Sequence, residues 1–292
     1  MMNYELFKKI AAQRVLDFMP EDFAGYTPDI RPVNKINGVK DGFCLMPPEH
    51  KKNRAIPTLY LDELYEDFSQ DEDMDRVLSC AASVFAQYAG MPSEGLASYL
   101  LEDHTDMIVG NLISTKLNSH LLENVPNREF LDMSLIYRFV YRNDDHSMHT
   151  AIITNEHMES AGLTEDDLYK FALENTSRIF PIKVLDGFGE KFIVVTNEIG
   201  AYGASVMLYE DEMKKLAERI GGDFYILPSS VHELFLTSAS ESDPIDLVNM
   251  LAEGNEKITP PAERLSTVIY RYVAEHEKII RYLGYLDDES VV

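Results

Sequence analysis

Ser229, Ser230, His232 and Glu233 lie together in 223-DFYILPSSVHELFL-236, where a proline, two hydroxyls, an imidazole and a carboxyl interrupt an apolar run. Hydroxyl, imidazole and carboxylate are the nucleophile, base and orienting acid of acyl transfer, provided that they converge side by side. Local geometry forbids that here. In a strand, Ser230 and His232 share one face and Glu233 points to the other. In a helical turn, residues one and two apart do not face each other. Two readings remain. Ser230-Val231-His232-Glu233 has the capping-box spacing, in which Ser230 and Glu233 satisfy each other's free backbone N–H groups at a helix start, with Pro228 closing the preceding strand. Alternatively, His232 or Glu233 belongs to a site completed from elsewhere in the chain.

The stretch best suited to complete it is 197-NEIGAYG-203, which sets Asn197, Glu198 and Tyr202 among glycines between two apolar runs. Both segments follow strand ends, where open α/β sheets hold ligands. In this site His232 is the acid or base, Glu233 or Glu198 a second carboxyl and Tyr202 a positioner. Asn197, Ser229 and Ser230 complete the binding surface. The plainer reading of 197–203 is turn chemistry supplied by its glycines.

Metal and cofactor motifs are not met. A zinc-protease pair with His232-Glu233 needs a second histidine at 236, which is Leu. His146-Ser147-Met148-His149, after Asp144-Asp145, has ligand-like spacing, but a polar turn explains it without an ion, so no metal is expected. Gly187-Phe188-Gly189 and Gly200-Ala201-Tyr202-Gly203 lack the P-loop lysine and the dinucleotide spacing. Carboxylates of Glu210-Asp211-Glu212 occupy the helix start that follows, where they would repel a phosphate. No cofactor is expected.

The elements that must position these residues read as α+β: a mixed sheet with flanking helices, in which a helix–hairpin–helix portion (1–126) precedes a strand-rich α/β portion (127–292), or one continuous domain. Phe7, Ile10, Ala11, Val15 and Phe18 recur near the helical period before Pro20. Asn37-Gly38 predicts a hairpin. Met74, Val77, Leu78, Ala81 and Phe85 form one helix face, and a second helix is predicted from about Ser93 to Ile113. MSLIYRFVYR and TAIITN form a hairpin, and Thr164 opens a helix through a capping-box variant with Asp167. ASVMLY is read as a strand that starts a β-α-β unit ending at DFYIL. Residues 266–286 are read as a closing hairpin. Cys44 and Cys80 are expected to be buried, reduced thiols, and a pair cannot build a disulfide scaffold.

Charge narrows the partners. Residues 1–60 carry 9 Lys+Arg against 7 Asp+Glu, whereas 61–292 carry 17 against 43, giving a formal net charge of −24. Such a field repels phosphate backbones and anionic membranes, so neither nucleic acid nor membrane is an expected partner. The one basic cluster, 50-HKKNR-54, reads as a solvated loop. The first residues alternate apolar and charged positions without the apolar core of a signal peptide, which predicts a cytoplasmic protein.

VNKINGVKDG, NEIGAYGASVMLY and DFYILPSSVHEL, in this order, resemble a family catalogued only as a domain of unknown function and common in anaerobic gut bacteria, along nearly the whole chain. The resemblance implies a bacterial cytoplasmic protein and carries no activity, cofactor or catalytic residue. The expectation is therefore a non-enzymatic binding or regulatory protein with an unknown protein or small-molecule partner. The alternative is an enzyme on a small uncharged or cationic substrate, with its site near Asn197–Gly203 and Ser229–Glu233.

Overall fold

The α+β class expected from the sequence holds, in a chain that falls into two units, Met1–Ala97 and Ser98–Val292. A computed structural model describes residues 2–49, 57–88, 101, 104–142, 148–188 and 191–284. The basic cluster at 50–54 and the first residues of the helix predicted from Ser93 lie outside the described residues, as does His146.

In the first unit, α1 (Tyr4–Arg14) starts where the Asn3 side chain accepts the Leu6 N–H at 2.9 Å. Strands β1 (Thr27–Lys35) and β2 (Gly38–Met46) pair from Lys35↔Gly38 outward, with Asn37 in the left-handed conformation that the Asn-Gly signal foretold. β3 (Thr58–Tyr60) extends this antiparallel sheet. Next comes α2 (Leu61–Asp71), a helix hidden in the sequence by its carboxylates, and then α3 (Met74–Tyr88). Phe7, Phe43, Phe68, Leu78 and Phe85 meet in one core. Each such side chain contributes about 1.5–3 kcal/mol by leaving water. Cys44 is buried as expected, but Cys80 is exposed, because the inward face of α3 is set by Val77, Leu78, Ala81 and Phe85.

The second unit holds two antiparallel sheets. One contains β4 (Ile108–Ser114), β5 (Asn127–Phe130), β6 (Met133–Arg142) and β7 (Met148–Ile152), with β6 pairing all three others. The other has the order β13-β12-β10-β11-β9-β8, from β8 (Ile182–Phe188), β9 (Phe192–Asn197), β10 (Phe224–Leu227), β11 (Leu234–Ser238), β12 (Val268–Val273) and β13 (Lys278–Gly284). Every described strand pair is antiparallel. Residues 108–113, read as helix, are therefore strand. Pro126 falls between β4 and β6 of one sheet, within the second of the two units.

Helices α4 (Ser119–Leu122), α5 (Asn155–Ser160), α6 (Glu165–Ile179), α7 (Glu210–Ile220) and α8 (Pro244–Lys257) complete the unit. Both sheets bury Leu112, Tyr137, Phe224 and Tyr272 in a core shared with Leu168 of α6 and Met213 and Leu216 of α7. The opposite face of β10, Tyr225 and Leu227, packs under Leu247, Val248 and Leu251 of α8. The outer edge of β4 is sealed by side chains: the Gly110 N–H donates to Thr176 Oγ1 at 2.8 Å, and the Leu112 N–H to Ser205 Oγ at 3.2 Å. ASVMLY (204–209), read as a strand, falls almost wholly in a 3-10 helix, Gly203–Leu208, so 204–227 is not a β-α-β unit. Among the described residues no helix is long and apolar enough to cross a membrane.

Candidate functional site

The two loops singled out in the sequence meet, and they meet through backbone. β9 ends at Asn197, whose Oδ1 accepts the N–H groups of Ile199 at 3.0 Å and Ala201 at 3.3 Å. That side chain, 4% exposed, folds the loop back on itself. Tyr202 follows at φ +61°, and Gly203 donates its N–H to the His232 carbonyl at 3.1 Å. A Cβ on Gly203 would stand 2.4 Å from that oxygen and 2.7 Å from Thr196 Cα, so only glycine allows this approach. Thr196 Oγ1 donates to the same carbonyl at 2.8 Å.

On the other side, no helix begins at Ser230. Residues 234–238 are β11, and the Ser230 hydroxyl accepts the His232 N–H at 3.0 Å within a strand-to-strand loop. The capping-box reading is thus replaced by a tight turn, anchored where the Val231 N–H reaches Glu263 O at 2.8 Å. His232 Nδ1 accepts the Tyr202 N–H at 3.2 Å, which puts the hydrogen of the neutral ring on Nε2, 3.8 Å from Glu263 Oε1. Glu198 is exposed and Glu233 half-buried, and neither carboxyl bonds to His232. Ser229 Oγ is buried without a hydrogen-bond partner among the described residues.

Behind Tyr202 lies a residue that the sequence reading passed over. Arg138 of β6 is 9% exposed, donates through Nε to Thr150 Oγ1 at 3.0 Å and stands 4.7 Å from the Tyr202 ring. Burial lowers its pKa, and the Tyr202 phenol opposes that shift. The Tyr202 hydroxyl reaches Thr150 Oγ1 at 3.2 Å, and its ring packs near Phe180 and His232. The polar groups of Asn197, Thr196, Ser230, His232 Nδ1, Tyr202 and Arg138 Nε are committed within this cluster, whereas the carboxyls of Glu198 and Glu233 and the Ser229 hydroxyl have no hydrogen bond among the described residues. His149, the other half of the ligand-like pair, lies on β7, but its side chain is outside what is described.

A cavity of the second unit lies elsewhere. A cleft of about 330 Å³ opens between the two sheets, walled by Phe130, Leu135, Met207, Met213, Tyr272 and Ile279. Tyr272 is 1% exposed, stacks on Phe224 with ring centroids 5.1 Å apart, and has a buried hydroxyl with no hydrogen-bond partner among the described residues. Burial raises its pKa, and Glu277 and Glu210, both cleft residues, add to the rise against Lys214. One end of the cleft is set rigidly. Arg128 Nε meets Glu165 Oε1 at 3.0 Å, the guanidinium also pairs with Asp166, and it lies 3.9 Å over the Tyr169 ring. Glu165 also accepts from the buried Tyr137 hydroxyl.

Residues 4–188 and 185–274 match the model of a family of unknown function (DUF5688). The chain belongs to this family. No curated protein and no solved structure matches it. The DUF5688 match spans both the loop cluster and most of the cleft wall. Within this DUF5688 chain, the cleft offers apolar contact, one unsatisfied phenol and a charged rim. The loop cluster offers an imidazole and a buried guanidinium already bonded to their surroundings. Sequence reasoning missed the cleft because its lining runs from Arg128 to Ile279 with no local spacing. The one usable signal was the alternation of Tyr270 and Tyr272 on the inward face of β12.

Proposed function

We propose that the chain is a non-enzymatic binding protein whose ligand is a small molecule held in the cleft between the two sheets of residues 98–292. The observation that carries this reading is the Tyr272 hydroxyl. Buried polar groups are nearly always hydrogen-bonded, and leaving one unmade costs about 1–3 kcal/mol. Tyr272 lines the cleft, and its phenol, closed to water in the unliganded chain, is a group that a ligand there would satisfy. The volume, about 330 Å³, lies at the small end of ligand pockets. Against catalysis stands the state of the imidazole: His232 spends Nδ1 on the Tyr202 backbone, and neither Glu198 nor Glu233 reaches it. The reading includes a cytoplasmic setting, which the free thiols of Cys44 and Cys80 support.

Native mass spectrometry of the protein gently purified from its own host tests this. The expected result is a small-molecule increment above 33.3 kDa that disappears in Ile279→Trp, where an indole fills the cleft. A bare chain, or an increment that survives the filled cleft, would overturn the proposal.

A further inference from the structure

The charges around the cleft say what kind of small molecule it takes. We infer that the ligand is a small organic cation, an apolar body carrying a protonated amine. This inference rests on the cleft being the binding site.

Three observations lead there. The wall is apolar and includes Phe130, Met207, Met213 and Ile279, so the body of the ligand is apolar. Methionines adapt to its outline, and the small volume excludes a dinucleotide or a folded peptide segment. Next, the cations at the rim are largely neutralised. Arg128 is held by Glu165 and Asp166 and covered by Tyr169, and Lys214 pairs with Glu277. Glu129 and Glu210 line the cleft, are exposed and have no ion pair among the described residues; only Lys278 stands against them in the same condition. The lining and its ion-pair partners thus hold five carboxylates (Glu129, Glu165, Asp166, Glu210, Glu277) against three cations (Arg128, Lys214, Lys278), a local net of −2. The chain's net charge of −24 acts in the same direction.

Finally, Tyr272 supplies what an amine needs at short range. Its buried hydroxyl has no partner among the described residues, its lone pairs can accept an N–H, and it senses Glu210 and Glu277. The aromatic ring of Phe130 in the lining favours a cation further. A carboxylate or phosphate would instead meet two unpaired carboxylates, Glu129 and Glu210, with only Lys278 unpaired among the described residues to offset them, and an arginine already occupied.

The test uses three probes with one apolar body: phenethylamine, 2-phenylethanol and 3-phenylpropionate. Each is titrated into full-length protein labelled at the methionine methyl groups, with Met207 and Met213 as reporters. The amine is expected to move both methyls and to bind roughly tenfold more tightly than the propionate, with the alcohol between them. Added salt and the double variant Glu129→Gln/Glu210→Gln should each erase most of that preference. Tyr272→Phe should weaken the amine severalfold while the methyl spectrum stays native. Equal or tighter binding of the alcohol or the propionate overturns the inference and leaves the binding cleft standing. Should none of the probes move the two methyls, the inference fails as well, and the native mass then decides whether the cleft reading fails with it.

Discussion

Replacing Gly203 with alanine would drive a methyl into the His232 carbonyl and Thr196 Cα, at 2.4 and 2.7 Å. Both obstacles are backbone, so neither can swing aside. The expected loss is about 3 kcal/mol, the upper end of ordinary overpacking, read as a lower urea midpoint with unchanged slope. Gly200→Ala is the control: its φ is +72° but nothing lies within 4 Å, so it should lose only about 1–2 kcal/mol. Equal losses would mean that the close contact is unimportant. At this scale the sequence was half legible. Two glycine- and serine-rich stretches at strand ends pointed to each other, and they meet. It could not show that His232 and Asn197 would spend their polar atoms on neighbouring backbone, because hydrogen-bond partners distant in sequence leave no local pattern. Arg138 was invisible for the same reason: an arginine inside YRFVYR alternates like any outward residue until β7 and Tyr202 cover it.

Several elements with one buried face are legible in the sequence, whereas β4, buried along its whole length, is not. The helix start at Thr164 is an example of the first. Its hydroxyl accepts the Asp167 N–H at 3.2 Å, and the Asp167 carboxylate accepts the Thr164 N–H at 2.9 Å. Thr164→Ala should therefore cost about 1 kcal/mol, measured by chemical denaturation, and Thr164→Ser should restore most of it. No loss would show that the cap is redundant with the packing of α6. β4 is the opposite case. All seven of its residues are buried, so IVGNLIS shows no alternation and cannot be told from a buried helix turn by period. The 203–208 segment failed similarly, since five of its six residues are buried and a short apolar run carries no period of its own.

For the molecule as a whole, charge sets the response to acid. With 50 Asp+Glu against 26 Lys+Arg, net charge vanishes near pH 4.6, where solubility should reach its minimum. Stability should decline on the same side. The Ala274 N–H, at 2.8 Å, and the Arg271 guanidinium, at 2.7 Å, hold the Asp223 carboxyl below the usual carboxylate range. The folded chain therefore keeps that carboxylate ionised at a pH where the unfolded chain binds a proton. Its stabilisation is complete above the unfolded value of about 4, and it is lost as pH falls through the lower folded value. Asp223→Asn should flatten the stability profile below pH 4 relative to the parent chain and lower the plateau above it. A variant profile parallel to the parent's throughout would refute this role.

The central strand β10 has a further consequence. Phe224–Leu227 has strands on both edges and a packed core on each face, and Phe224 stacks on the ring that walls the cleft. Its inner amide hydrogens can meet deuterated solvent only when the whole unit opens. Their exchange rate is therefore a built-in gauge of global stability, and whatever settles against Tyr272 should slow it even though no atom of β10 touches the ligand.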